Sequence, residues 1–163
     1  AVTCAMEGTR PMLVEIQALI SPSAFSNPRR MAAGLDGNRL ILLLAVLEKK
    51  AFLSLANQDV YANVVGGIRL EERASDLAKA MCIASALLEV TLPPATAYIG
   101  EVALTGEIRP VSRLDKRISE CARLGYTHLI VPKSEKLPRI DGVKLTPVTT
   151  LADAVRLLTG TGK

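Results

Sequence analysis

A chain of 163 residues, 49% hydrophobic and 22% charged, has the size of one globular domain and enough apolar material for a core. No uncharged apolar run approaches the roughly 20 residues that cross a bilayer; the longest lies between Arg39 and Glu48, which excludes a membrane-spanning helix, and the odd, widely spaced Cys4, Cys82 and Cys121 read as reduced thiols of a cytoplasmic protein. The net charge is +4 and only 3% of residues are aromatic, so a nucleic-acid partner would be held by its phosphates, in a sequence-tolerant and salt-sensitive way, and not by base stacking.

Along the chain, strand-like and helix-like patterns alternate. "MLVEIQALI" (12–20) has the β-branched residues and alternation of a strand and stops at Ser21-Pro22. After a loop with Asn27-Pro28 and Gly34, Asp36 caps a helix whose Leu40, Leu43, Leu44 and Leu47 fall at i, i+3, i+4 and i+7 and face a core. "AFLSLA" (51–56) and "VYANVVGGIRL" (60–70) are strand candidates, the second bent at Gly66-Gly67. A second helix starts at "RASDLAKAM" (73–81), lines up Leu77, Met81, Ala84 and Leu88, and ends before Pro93-Pro94. Residues 96–111 read as two strands joined around Thr105-Gly106. Ser112 then opens a third helix, with Leu114, Ile118 and Cys121 inward and Gly125 as its stop. "THLIVPK" and "VKLTPV" are short strands, and a last helix runs from Thr150 to Gly160. The whole is a mixed α/β fold in one domain over residues 1–163.

The chemistry-bearing residues are sparse. Cys4, Cys82 and Cys121 are widely spaced without a Cys-x-x-Cys pair, and His128 stands alone, so neither a zinc site nor a Ser-His nucleophile is indicated. "TGTGK" (159–163) is not a phosphate loop, because Leu157 stands where the first glycine of the motif belongs. Ser75 beside Asp76 reads as a helix start, the serine capping and the aspartate favouring the positive end of the helix. Ser112 with Asp115 and Thr150 with Asp153 match the capping-box pattern. The mean hydropathy of +0.28 is high for a small solvated domain and suggests that a neighbouring subunit covers some apolar surface.

Three stretches carry a specific resemblance: "EGTRPMLVEIQALISPSAFSNPRR" (7–30), "GLDGNRLILLLAVLEKK" (34–50) and "GEVALTGEIRPVSRLDKRISECARLGYTHLIVPKSEK" (100–136). They resemble the carboxy-terminal, Lon protease-like domain of the bacterial RadA (Sms) DNA-repair family. The resemblance implies a Lon-type α/β fold, a homo-oligomeric, hexameric ring, and contact with DNA in homologous recombination. Members of that family also carry a zinc finger and a RecA-like ATPase, and their motifs do not occur here. The absence of an initiator Met agrees with an excised domain; the resemblance implies no cofactor for this domain, with ATP, Mg and Zn expected only in the other parts of the longer protein. A RecA-type recombinase is a partner expected of that longer protein, which would be a DNA-dependent ATPase driving branch migration.

The resemblance also speaks to the site. Lon proteases use a Ser-Lys dyad in which a neutral lysine takes the serine proton. Alignment from "AKAMCIASALL" places Ala74 at the serine position, and "RPVSRLDKR" places Asp115 at the lysine position, so the domain is expected to be a pseudo-protease. In Lon rings the two helices that carry the dyad face the interior chamber. By that placement Arg73, Lys79, Arg113, Lys116 and Arg117 are the first candidates for phosphate contact, and Arg29, Arg30 and Arg39 the second. Two alternatives stand beside this reading: an oligomerisation scaffold without DNA contact, and an active peptidase with Ser75 and Lys116 as a displaced dyad.

Overall fold

The computed structural model describes residues 1–160; the last three residues of "TGTGK" lie outside the described residues. The chain opens with a hairpin that the sequence pattern does not announce. β1 (Val2–Glu7) pairs antiparallel with β2 (Arg10–Pro22), from Val2 opposite Glu15 to Glu7 opposite Arg10, and Gly8 at φ 62° serves the two-residue turn. A short β3 (Arg30–Ala33) precedes α1 (Gly37–Lys50). Asp36 accepts from the Asn38 amide at 3.2 Å, and Leu40, Leu43, Leu44 and Leu47 are buried, as the leucine spacing requires.

Residues 51–56 are the C-terminal cap of α1 and the loop that follows it, and not a strand. The amides of Ala51 and Leu53 both return to the Leu47 carbonyl, at 3.2 and 3.1 Å, a closure that puts Phe52 in the left-handed region at φ 61° with its ring 82% exposed. The in-out alternation of "AFLSLA" is thus produced by a helix terminus, which turns Leu53 and Leu55 inward and Phe52 outward. β4 (Gln58–Val64) follows and ends where Gly66 and Gly67, both at positive φ, turn the chain.

A single 3-10 turn, Arg73–Ser75, leads into α2 (Asp76–Leu88), which is buried on every side from Asp76 to Ala84. β5 (Thr96–Tyr98), the small hairpin of β6 (Glu101–Val102) and β7 (Ile108–Arg109), α3 (Leu114–Arg123), β8 (His128–Pro132), β9 (Lys144–Val148) and α4 (Leu151–Thr159) complete the chain. The stretch 96–111 therefore splits at Ile99-Gly100, where the backbone crosses the start of α2: Gly100 donates to the Ala74 carbonyl and accepts from the Leu77 amide, both at 3.0 Å. A Cβ at Gly100 would stand 2.8 Å from an Ile108 methyl, so the crossing requires glycine. Thr150 caps α4 by accepting from the Asp153 amide at 3.1 Å. The Ser112 box does not form: the residue before α3 is Arg113, left-handed at φ 55°, with no side-chain cap.

The strands build one mixed, mostly parallel seven-stranded sheet in the order β3-β4-β2-β1-β5-β8-β9, with β6-β7 apart. One face packs on α1, α2 and α4 through the larger apolar core, including Val14, Ile16, Val60, Leu77 and Met81. Across the β1-β5-β8 half, α3 covers the other face through Cys4, Ala97, Ile99, Ile118, Cys121, Leu129 and Val131. The outer face of the β3-β4-β2 half carries Leu19 and Met31, 64% and 56% exposed. No described helix is long and apolar enough to cross a membrane.

Candidate nucleic-acid interface

The starts of α2 and α3 meet around the end of β1, and the residues singled out by the Lon pattern gather there. Ala74 is buried, and its carbonyl is taken by the Gly100 amide. Asp115 is exposed on α3, beside Lys116, Ser119 and Arg123 in a shallow depression of about 250 Å³. Ser75 is 1% exposed and its hydroxyl donates to the Glu72 carbonyl at 2.6 Å. It caps nothing, because its backbone is already helical at φ −87° and ψ −4°, and the first turn of α2 finds its acceptors elsewhere. No hydrogen bond joins Ser75 to Lys116 among the described residues.

Asp76 is not a solvated dipole partner. It is fully buried, and its carboxylate accepts from Arg39 Nε at 3.1 Å, from Arg39 Nη2 and from the Val102 amide at 3.1 Å. Arg39 Nη2 also donates to the Val102 carbonyl at 2.9 Å, so one ion pair ties α1, α2 and β6 together. A second pair lies on the outer edge of β1. Arg117, 2% exposed, donates to the carbonyls of Ser112 and Cys4, each at 2.9 Å, and to Glu72 at 2.5 Å, while Glu72 accepts from the Met6 amide at 3.1 Å. Past Val2, where β1 leaves β5, these two side chains satisfy backbone groups of β1 that would otherwise lie open.

Four of the eight basic residues expected at phosphates are therefore committed to the protein itself. Lys79 is 2% exposed and donates to the Leu70 carbonyl at 2.9 Å; Arg117 and Arg39 are held in the pairs above. Arg30 spends its guanidinium on the carbonyls of Gln58 and Leu55. Their correction has one physical cause: each satisfies carbonyl oxygens, and Arg39 and Arg117 a carboxylate as well, so none presents a free cation to solvent. The other four are exposed. Arg73 lies 3.8 Å from Glu101, which stands opposite Arg109 across the small hairpin. Arg113 reaches the Gly8 carbonyl at 3.2 Å, Lys116 is exposed on α3 without an ion pair among the described residues, and Arg29 sits over the Phe25 ring at 5.1 Å. Sequence reasoning misses Glu72, Glu101 and Arg109, whose partners are set only by the tertiary fold.

Burial pushes the Lys79 ammonium below its ordinary value of 10.5, with Arg39 adding repulsion and Asp76 opposing. Between the folded and ordinary values the unfolded chain binds more protons, so this lysine makes stability rise with pH across that window and reach its full level above 10.5. Lys79→Met is expected to change stability at neutral pH by less than about 1 kcal/mol, since the buried charge it removes is offset by the Leu70 carbonyl it leaves without a donor. It should also abolish the alkaline rise. Urea melts from neutral to alkaline pH check both, and a loss of several kcal/mol would refute the account.

All three cysteines are free and buried. No group of three or more His, Cys, Asp or Glu among the described residues is arranged to hold a metal ion.

Comparison with known proteins bears on this surface. Residues 45–135, more than half of the chain, match the family model described as subunit ChlI of Mg-chelatase. The DNA repair protein RadA of Bacillus subtilis is 49% identical over 162 residues, 98% of this chain. Its counterparts in Halalkalibacterium halodurans and Streptococcus pyogenes are 48% and 46% identical over 98% and 96% of the chain. The match spans only 35% of each relative's length.

Proposed function

Because the chain belongs to the family described as subunit ChlI of Mg-chelatase and aligns almost end to end with RadA proteins, we propose that it is a non-proteolytic, Lon-like domain of a RadA-type DNA-repair protein, contributing ring assembly and phosphate-directed DNA contact. The observation that carries the reading is the 49% identity to a DNA repair protein over 98% of the chain. In the longer protein, ATP hydrolysis elsewhere would drive branch migration while this domain serves as platform.

The geometry supports three parts of the proposal. A buried alanine and an exposed carboxylate occupy the positions where the Lon resemblance would need a nucleophile and an amine base, which supports a domain without peptidase chemistry. The exposed Arg73, Arg113 and Lys116 flank those positions and offer charge to phosphates. Ile41 and Leu42 on α1 and Phe52 just beyond it, 52%, 40% and 82% exposed, offer apolar surface for a ring neighbour.

Fluorescence anisotropy with a labelled duplex across a salt series tests the DNA contact. Arg113→Glu with Lys116→Glu should weaken binding at least about tenfold, and the log-log salt slope should shrink by about 0.9 for each phosphate that is no longer neutralised. Unchanged affinity and slope would refute the assignment in favour of a scaffold.

A further inference from the structure

The outer face of β3-β4-β2 leaves the large apolar side chains of Leu19 and Met31 exposed. In register across the three strands, Leu19, Tyr61 and Met31 form one row, and Gln17, Asn63 and Ala33 form the next. These rows line a groove of about 570 Å³. The row beyond Leu19, Tyr61 and Met31 brings Arg29, whose guanidinium covers Phe25, and Asp59, whose carboxylate accepts from the Arg29 amide at 2.7 Å. Tyr61 is the aromatic side chain that lines this groove.

Its chemistry selects an occupant. Leu19 and Met31, more than half exposed, flank the half-buried Tyr61 ring, which gives a flat apolar platform between two flexible walls. Two amides, Gln17 and Asn63, line one row and can pair with the edge of a heterocycle, while Arg29 lies one row beyond Tyr61 and Met31, beside Asp59. No charged side chain lines the groove, whereas four other cavities each carry at least one carboxylate: Glu72, Glu120, Asp115 and Glu48 respectively. Around the chain, then, this groove combines an aromatic floor with access for a polyanion.

We propose that the groove binds single-stranded nucleic acid, stacking a base on Tyr61 between Leu19 and Met31, with Gln17 and Asn63 at the base edge and Arg29 at the backbone. The inference rests on the DNA-binding reading above and adds a second site to it, in which a single stacked base supplements the phosphate contact that the low aromatic content favours. Duplex is held through phosphates at the starts of α2 and α3, and an unpaired base is held here. A paired base cannot lie on the sheet, so the groove discriminates between the two forms of DNA.

The test uses the 163-residue chain and a labelled oligothymidylate of roughly 16 nucleotides, with the matching duplex as control. Tyr61→Ala should weaken single-strand binding about tenfold and leave duplex affinity within about twofold. Met31→Glu, a substitution on an exposed edge strand, keeps the fold and places a carboxylate beside the platform; it should weaken single-strand binding at least as much. Unchanged single-strand affinity in both variants overturns the proposal. So does a concentration-dependent dimer in sedimentation that Met31→Glu dissociates without affecting single-strand binding, which would assign the face to a second copy. If Arg113→Glu with Lys116→Glu abolishes duplex binding while Tyr61→Ala changes nothing, only this inference fails; if the wild type binds neither form, both readings fail.

Discussion

Replacing Arg39 with Ala is expected to cost about 3–5 kcal/mol of stability, the loss found when one partner of a buried ion pair is removed. The carboxylate of Asp76 is fully buried, and without Arg39 its donor among the side chains and backbone around it is the Val102 amide. The Val102 carbonyl loses its guanidinium donor at the same time, so the damage extends from α1 to the small hairpin. Arg39→Lys should recover only part of the loss, because one ammonium cannot serve both carboxylate oxygens and the carbonyl in the same plane. Arg39→Met combined with Asp76→Leu should be far less destabilising than the sum of the single changes, since neither charge is then stranded. Urea denaturation of Arg39→Met, Asp76→Leu and the double variant measures this coupling, and a loss below about 1 kcal/mol in Arg39→Ala would show the pair to be dispensable.

These commitments explain how much of the molecule can be read from its residues. The leucines of α1 and the Thr150-Asp153 cap are legible because their determinants are a few positions apart and repeat with the helix. β1 escapes such reading because Thr3, Cys4 and Ala5 are all buried, between α2 on one face and α3 on the other, so no polar alternation marks it. Residues 51–56 mislead for the opposite reason, as a left-handed phenylalanine gives a helix end the alternation of a strand. Ser112 three residues before Asp115 has the capping pattern, yet the chain enters α3 through Arg113 in the left-handed region.

The site is less legible than the fold. A lysine in "DLAKAMCIA" is compatible with a helix surface until the segment ending at Leu70 is laid across α2 and supplies the carbonyl that holds it. Glu72 and Arg117 are far apart in sequence, and nothing local to either marks the other as its partner. The Lon resemblance names Arg73, Arg113 and Lys116 together with Lys79 and Arg117, and which of these cations stay exposed is decided by which carbonyls need donors.

Arg117 separates the two roles a buried arginine at the proposed DNA-binding surface can play. Arg117→Ala should lower stability by about 3 kcal/mol, at the low end for a broken buried pair, because Glu72 is 29% exposed and can turn to water. The larger part of the cost falls on the Ser112 and Cys4 carbonyls, which are left without their donor inside the protein. Glu72→Gln should cost less, since the amide oxygen still accepts from the Met6 amide and from the guanidinium. A structural arginine and a phosphate-binding one then differ in the salt series. Removing a cation that neutralises a phosphate shrinks the log-log slope by about 0.9, whereas a residue that only positions α3 weakens binding at every salt concentration by the same factor. Arg117→Met, which keeps the buried volume, is expected to shift affinity with the slope unchanged, while Lys116→Ala should shrink the slope. A reduced slope in Arg117→Met would place that guanidinium at the DNA and require the β1 edge to open on binding.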